Sequence, residues 1–187
     1  MNKILIGLVG RKGAGKGTAA KMLAAQYGAT LFRFSDPLRT LLTILHLPID
    51  REHLVALSEA LRTAFGEDIL LRALLADAEK ADASLIVLDG IRRIEELPLL
   101  ESMEHFSLIS IEATLETRHA RSANRGENTG EQQMSLETFE KTENASTETT
   151  IPAVEARATF HAENNGTPDA LRDALAAIMA TLGKTTS

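Results

Sequence analysis

Nearly unbroken apolar runs alternate along the chain with segments whose apolar residues recur every three or four positions. The runs are ILIGLVG (4–10), ATLFRFS (29–35), SLIVLDG (84–90), FSLISIEA (106–113) and ATFHAEN (158–164). The first and third are almost continuously apolar, as strands are when helices cover both faces of a parallel sheet. Between them, GTAAKMLAAQY (17–27) combines good helix formers with an apolar face. Leu54, Leu57, Leu61 and Phe65 recur at helical spacing, and Ile69, Ala73 and Leu74 continue the pattern. Near the end, Thr167 is placed to cap a helix with Pro168 in its first position. Leu171, Leu175, Ile178 and Leu182 would then face the core. Strands alternating with helices predict an α/β fold with a wound, five-stranded parallel sheet. Residues 37–80 hold no strand pattern and read as a helical insertion between the second and third strands. Residues 123–150 are polar and nearly free of large apolar side chains, the pattern of either a disordered loop or a mobile lid. We therefore expect one domain over residues 1–187, with a lid region at 114–150 and a frayed tail.

Composition narrows the classes of function. The chain has 187 residues, 44% of them hydrophobic, enough to bury a real core. It has no cysteine, which excludes disulfides, thiolate metal sites and cysteine nucleophiles. Net charge is −6 and the pI about 5.4, against broad binding to nucleic acid or anionic membranes. No apolar run approaches the ~20 residues of a membrane span. The start MNKILIGLVG lacks the long apolar stretch and cleavage site of a secretory signal. The expectation is a soluble cytoplasmic protein, monomer or homodimer, with a small-molecule partner. The histidines are scattered without metal-ligand spacing, and no G-x-S-x-G elbow occurs.

The candidate chemistry lies in GRKGAGKGT (10–18), between the first strand and the first helix. Gly10 to Lys16 fits G-x-x-x-x-G-K in the context that gives this motif its meaning. Gly10, Gly13 and Gly15 let the backbone turn tightly, so that several N–H groups, with Ala14, can point at one anion. The helix start adds its positive dipole end, and Lys16 brings a full charge to the outer phosphates. Gly17 stands where the strict motif has a magnesium-ligating Ser or Thr, and Thr18 follows. Thr18 can still reach phosphate or metal. The remaining carboxylate for magnesium is Asp89, which ends an apolar strand and would act through water. The bland alternatives are a glycine-rich turn and a strand-ending aspartate.

GRKGAGKGT resembles the loop of nucleoside monophosphate kinases, usually G-x-G-K-G-T. DGIRR (89–93) resembles the D-G-x-x-R signature of that group, and more closely the D-G-[IV]-R form of dephospho-coenzyme A kinase-like proteins. FSDPLR (34–39) resembles a segment of deoxynucleoside monophosphate kinases. RHARSANRG (118–126) and NNGTPDAL (164–171) resemble an uncharacterised archaeal-type branch of the group. The resemblance implies a three-layer P-loop kinase fold, ATP and magnesium as cofactors, and a nucleotide-like acceptor held by the 37–80 insertion. It implies that Arg39 and Arg92 hold the acceptor. Arg93 occupies the arginine position of the older signature, and all three could instead be solvated surface charges. Thr142-Glu143 stands where the resemblance leads one to expect an arginine-aspartate pair.

The same residues make chemical sense alone, because phosphoryl transfer is mostly positioning and charge neutralisation. Arg118, Arg121 and Arg125 are spaced three and four apart on one helix. They could close over a triphosphate, or pair with Glu112, Glu116 or Glu127. Asp36 is placed to orient or deprotonate an acceptor hydroxyl, or else to cap a helix. Asn165, Gly166 and Thr167 would edge an adenine ring, or form a plain turn. Two functions remain open: a small-molecule kinase, with Lys16, Asp36, Arg92, Arg121 and Arg125 around the reacting groups, and a nucleotide-binding switch or slow ATPase acting through a partner.

Overall fold

The structure is a computed structural model that describes residues 3–125, 134–142 and 149–185. Strand β1 (Ile4–Val9) leads through residues 10–15 into helix α1 (Lys16–Tyr27), and β2 (Thr30–Arg33) follows. Helices α2 (Ser35–Ile44), α3 (Arg51–Phe65) and α4 (Ile69–Lys80) make up the insertion before β3 (Leu85–Asp89). A short 3-10 turn (Ile94–Glu96) and α5 (Leu97–Glu101) lead to β4 (Phe106–Glu112) and α6 (Leu115–Arg125). After it come α7 (Leu136–Thr142), α8 (Ile151–Glu155), β5 (Phe160–Glu163) and α9 (Pro168–Thr185).

The five strands pair in the order β2-β3-β1-β4-β5, and every pairing is parallel. β1 is central because its apolar run buries side chains alternately on both faces. Leu5 and Val9 enter one core with Ile86, Leu88 and Leu108, covered by Leu38 of α2, Leu70, Leu71 and Leu74 of α4, and Ile151 and Val154 of α8. Ile6 and Leu8 enter the other core with Val87, Ile109 and Ile111, covered by Ala20 and Leu23 of α1 and by Leu171, Leu175, Ile178 and Leu182 of α9. The predicted strands, the helical insertion and the face of the last helix are therefore all present. Thr167 caps α9 as expected, accepting from the Ala170 N–H at 3.3 Å.

Among its described residues, the polar stretch 123–150 holds an element that its composition conceals. Helix α7 carries Phe139, which is 1% exposed. The ring sits 5.4 Å from His119, with Lys12 Nζ and the Arg118 guanidinium on it at 5.6 and 5.9 Å. One aromatic residue with cations on its ring anchors this helix in place of a full apolar face.

The insertion is tied to the sheet by charge. Lys3 Nζ donates to the Ala78, Glu79 and Ala81 carbonyls at 2.9, 3.0 and 2.5 Å, closing the end of α4. Arg62 of α3 donates to Glu96 Oε1 at 2.8 Å, and the two residues are 6% and 0% exposed. Burial raises the Glu96 carboxyl above its ordinary value, and the Arg62 charge is the chief influence opposing that. The native state thus binds this proton more tightly than the unfolded chain. The stability it lends is full below the unfolded carboxyl value of 4.5 and is lost as pH rises through the native value. Glu96→Gln should lack this dependence. In urea unfolding across pH 4.5–8, wild type should lose stability relative to the variant as pH rises; parallel curves would contradict the assignment.

Candidate active site

Parallel pairing brings the carboxyl ends of all the strands to one edge of the sheet, where ligands bind in open α/β folds. There residues 10–15 turn β1 into α1. Gly10, Gly13 and Gly15 have φ of 153°, 78° and 104°, a region that favours glycine. Each also lies too close to a neighbour for a side chain. A Cβ at Gly10 would stand 2.5 Å from the Ile111 carbonyl oxygen, and one at Gly13 2.5 Å from that of Arg118. At Gly15 it would stand 2.2 Å from Asn164 Nδ2. The loop is thus wedged among β4, α6 and the end of β5. Gly15 is the N-cap of α1, and no side chain among the described residues caps that helix. Lys16 Nζ donates back to the Gly10 carbonyl at 2.5 Å and the Arg11 carbonyl at 3.4 Å. Such a cradle, with a helix dipole behind it and an ammonium folded on its rim, suits an anion.

Gly17 and Thr18 follow, both exposed in the first turn of α1. Nothing lies within 4 Å of a Cβ built at Gly17, so packing does not demand that glycine. Asp89 ends β3, in register with Leu8 of β1 and Arg33 of β2. Its side chain is 14% exposed, and Arg33 Nε lies 3.9 Å away. Among the described residues no group of three or more His, Asp or Glu is arranged to hold a metal by itself. A metal here would need oxygen ligands from a bound phosphate and water beside Asp89.

The predicted acceptor residues fall on the insertion side of this edge. Asp36 and Arg39 are exposed on the first turns of α2. Arg92 is exposed in the loop after β3, and its carbonyl accepts from the Thr150 hydroxyl. Arg93 pairs with Glu59 of α3 at 2.5 Å and with Glu67 at 3.5 Å. That pairing joins α3 to the loop that carries Arg92.

Of the three α6 arginines, Arg118 and Arg121 both lie against the loop. Arg118 is 4% exposed and donates to the Ala113 and Lys12 carbonyls at 3.1 and 3.5 Å, so it braces the loop from behind. Arg121 Nη1 is buried with no hydrogen-bond partner among the described residues, 3.9 Å from a Cβ built at Gly15. The Arg125 side chain, Glu127 and Glu143 lie outside the described residues. Glu112 pairs with His161 at 2.6 Å, and His161 holds its carboxyl below the usual value. Asn165 Oδ1 accepts from the Thr114 N–H at 2.8 Å, fixing the 164–167 turn beside the start of α6.

Sequence reading missed Asn164 and Glu155. Asn164 is 6% exposed and donates through Nδ2 to the Ala14 carbonyl at 2.8 Å. The alternation Phe160, Ala162 along β5, carried on to Asn164 just past its end, pointed inward to it. Glu155 of α8 lies 3.8 Å from Arg11 Nε. Burial foremost raises its carboxyl, with neighbouring Arg11, Lys16 and Arg118 opposing and Glu112 adding to the rise. No local pattern marks this residue, because the fold alone carries α8 back to the loop.

Comparison with known proteins agrees with this fold. The sequence pattern of a family described as AAA domain (AAA_18) matches residues 6–150. The UPF0200 protein of Methanoculleus marisnigri is 30% identical over 123 residues, which are 65% of this chain and 67% of that protein. The crystal structure of TT1252 from Thermus thermophilus superposes with a TM-score of 0.62 at 24% identity, covering 96% of this chain and 98% of that one. Shikimate kinase from Bacteroides thetaiotaomicron superposes with a TM-score of 0.63 at 13% identity, covering 95% and 98%. The fold is the three-layer P-loop kinase fold.

The glycines should separate by substitution. Gly15→Ala forces a side chain onto Asn164 at positive φ and should lower stability by about 1–3 kcal/mol. Gly17→Ala meets open space in a helix and should gain up to about 1 kcal/mol. Thermal melting of the two variants beside wild type checks both signs.

Proposed function

The chain belongs to the AAA domain family, with UPF0200 proteins among its relatives, and from this we propose that it transfers a phosphoryl group from ATP to a small nucleotide-like acceptor. The observation that carries the reading is the glycine cradle itself. Its backbone is held too close to Ile111, Arg118 and Asn164 for any side chain, and Lys16 sits on its rim. The donor set fits a triphosphate: loop N–H groups, the α1 dipole, Lys16 and the Arg121 Nη1 that has no partner among the described residues. Asp89 and Thr18 would hold magnesium, which when bound neutralises phosphate charge.

In this reading the loop and Lys16 bind the triphosphate, and Arg121 adds a second cation where charge builds during transfer. Asp36 lies on the insertion side, where it would orient or deprotonate an acceptor hydroxyl. Arg39 and Arg92 are exposed cations on that side and would grip an acceptor phosphate. Residues 37–80 serve as the acceptor-binding lobe and 114–150 as the lid that excludes water. Acceptors of this chemistry are ribo- and deoxyribonucleoside monophosphates and dephospho-coenzyme A. The fold neighbour whose acceptor is shikimate shows only that the same architecture accepts other small molecules. Nothing in this scheme requires nucleic acid or a membrane, and we place the protein in the cytoplasm as a monomer or homodimer.

The test is ADP formation from ATP and magnesium against that panel and a no-acceptor control, with Lys16→Ala as blank. Turnover with one acceptor class, at least tenfold above the control and lost in the blank, is the expected result. Equal slow hydrolysis under every condition would replace the kinase with a nucleotide-dependent switch.

A further inference from the structure

Asn164 occupies a position with two demands of opposite kind. Its Nδ2 donates to the Ala14 carbonyl of the phosphate loop at 2.8 Å, and its Oδ1 accepts from Arg121 Nη2 at 3.4 Å. Its own N–H donates to the Glu112 carbonyl at 2.7 Å, which locks the residue to the end of β4. A carboxylate could not serve the carbonyl and an alkyl side chain could serve neither; an amide serves both. The other Arg121 nitrogen, Nη1, is buried, unpartnered among the described residues, and next to Gly15. A guanidinium nitrogen stripped of water and left without an acceptor is costly, so its partner is expected to arrive with a ligand.

We propose that Asn164 is a positioning residue, which aims Arg121 across the phosphate loop and fixes the Ala14 carbonyl so that the loop, α6 and the turn after β5 grip nucleotide phosphates as one unit. The inference rests on the nucleotide reading above and adds a residue to it. It makes Asn164 and Arg121 energetically dependent: without the amide, Arg121 keeps its charge but loses its aim. Two residues that act through one contact give non-additive effects, whereas independent ones multiply.

The experiment measures the dissociation constant of ATP with magnesium for wild type, Asn164→Ala, Arg121→Ala and the double variant, with melting temperatures alongside. Each single substitution should weaken binding about tenfold, the scale of one charge-assisted hydrogen bond. The double variant should be within about threefold of the weaker single one, because the second substitution finds the contact already gone. Where Asn164→Ala fails to fold, Asn164→Ser carries the same comparison, since its hydroxyl is too short to reach both partners. Factors that multiply in the double variant overturn the inference. So does an Asn164 variant that binds ATP as wild type does, and in that case the nucleotide reading stands. A wild-type protein that binds no ATP overturns that reading and this inference together.

Discussion

Close approach of backbone to backbone around residues 10–15 is the constraint on which the site depends. Carbonyl oxygens of Ile111 and Arg118 occupy the places where side chains of residues 10 and 13 would be, and the Asn164 amide does so at residue 15. The loop therefore has little shape of its own; β4, α6 and β5 mould it. Each of those elements returns to the same sheet edge because every strand pairing is parallel. The neighbours thus hold the loop's backbone in place, and within it the Ala14 N–H, expected from the sequence to face an anion, donates to the Arg11 carbonyl at 3.1 Å.

Electrostatics extends this arrangement outward. Behind the loop, Arg118 donates to carbonyls and lies against Phe139, serving as a brace. On the insertion side, Arg93 and the buried Arg62–Glu96 pair fasten α3 to the segment after β3. A buried ion pair is weak evidence for stability, because desolvation offsets much of the attraction. Its use here is geometric: it fixes where Arg92 stands relative to the helices beside it.

Much of the fold was legible because its signals are local. Apolar runs marked the strands, Gly10 to Lys16 marked the turn into α1, and Leu171, Leu175, Ile178 and Leu182 marked the buried face of α9. Helix α7 was hidden because one residue, Phe139, does the work that periodicity usually reveals. In the site, the glycine motif and Asp89 could be read from spacing. Glu155 and the Arg62–Glu96 pair could not, since 34 or more residues separate the partners and only tertiary structure joins them. Asn164 was readable in principle, but the neighbouring Asn-Gly dipeptide gave the louder turn signal.

The two faces of the sheet close separate cores. Helices α1 and α9 close one core behind the glycine loop, while α2, α4 and α8 close the other on the insertion side. A single layer of strands separates them, and close-packed interiors transmit a change in volume mainly to touching neighbours. Side chains under the insertion can therefore be exchanged and repacked while the opposite core keeps its shape. The protein thus has two interiors that can be altered one at a time.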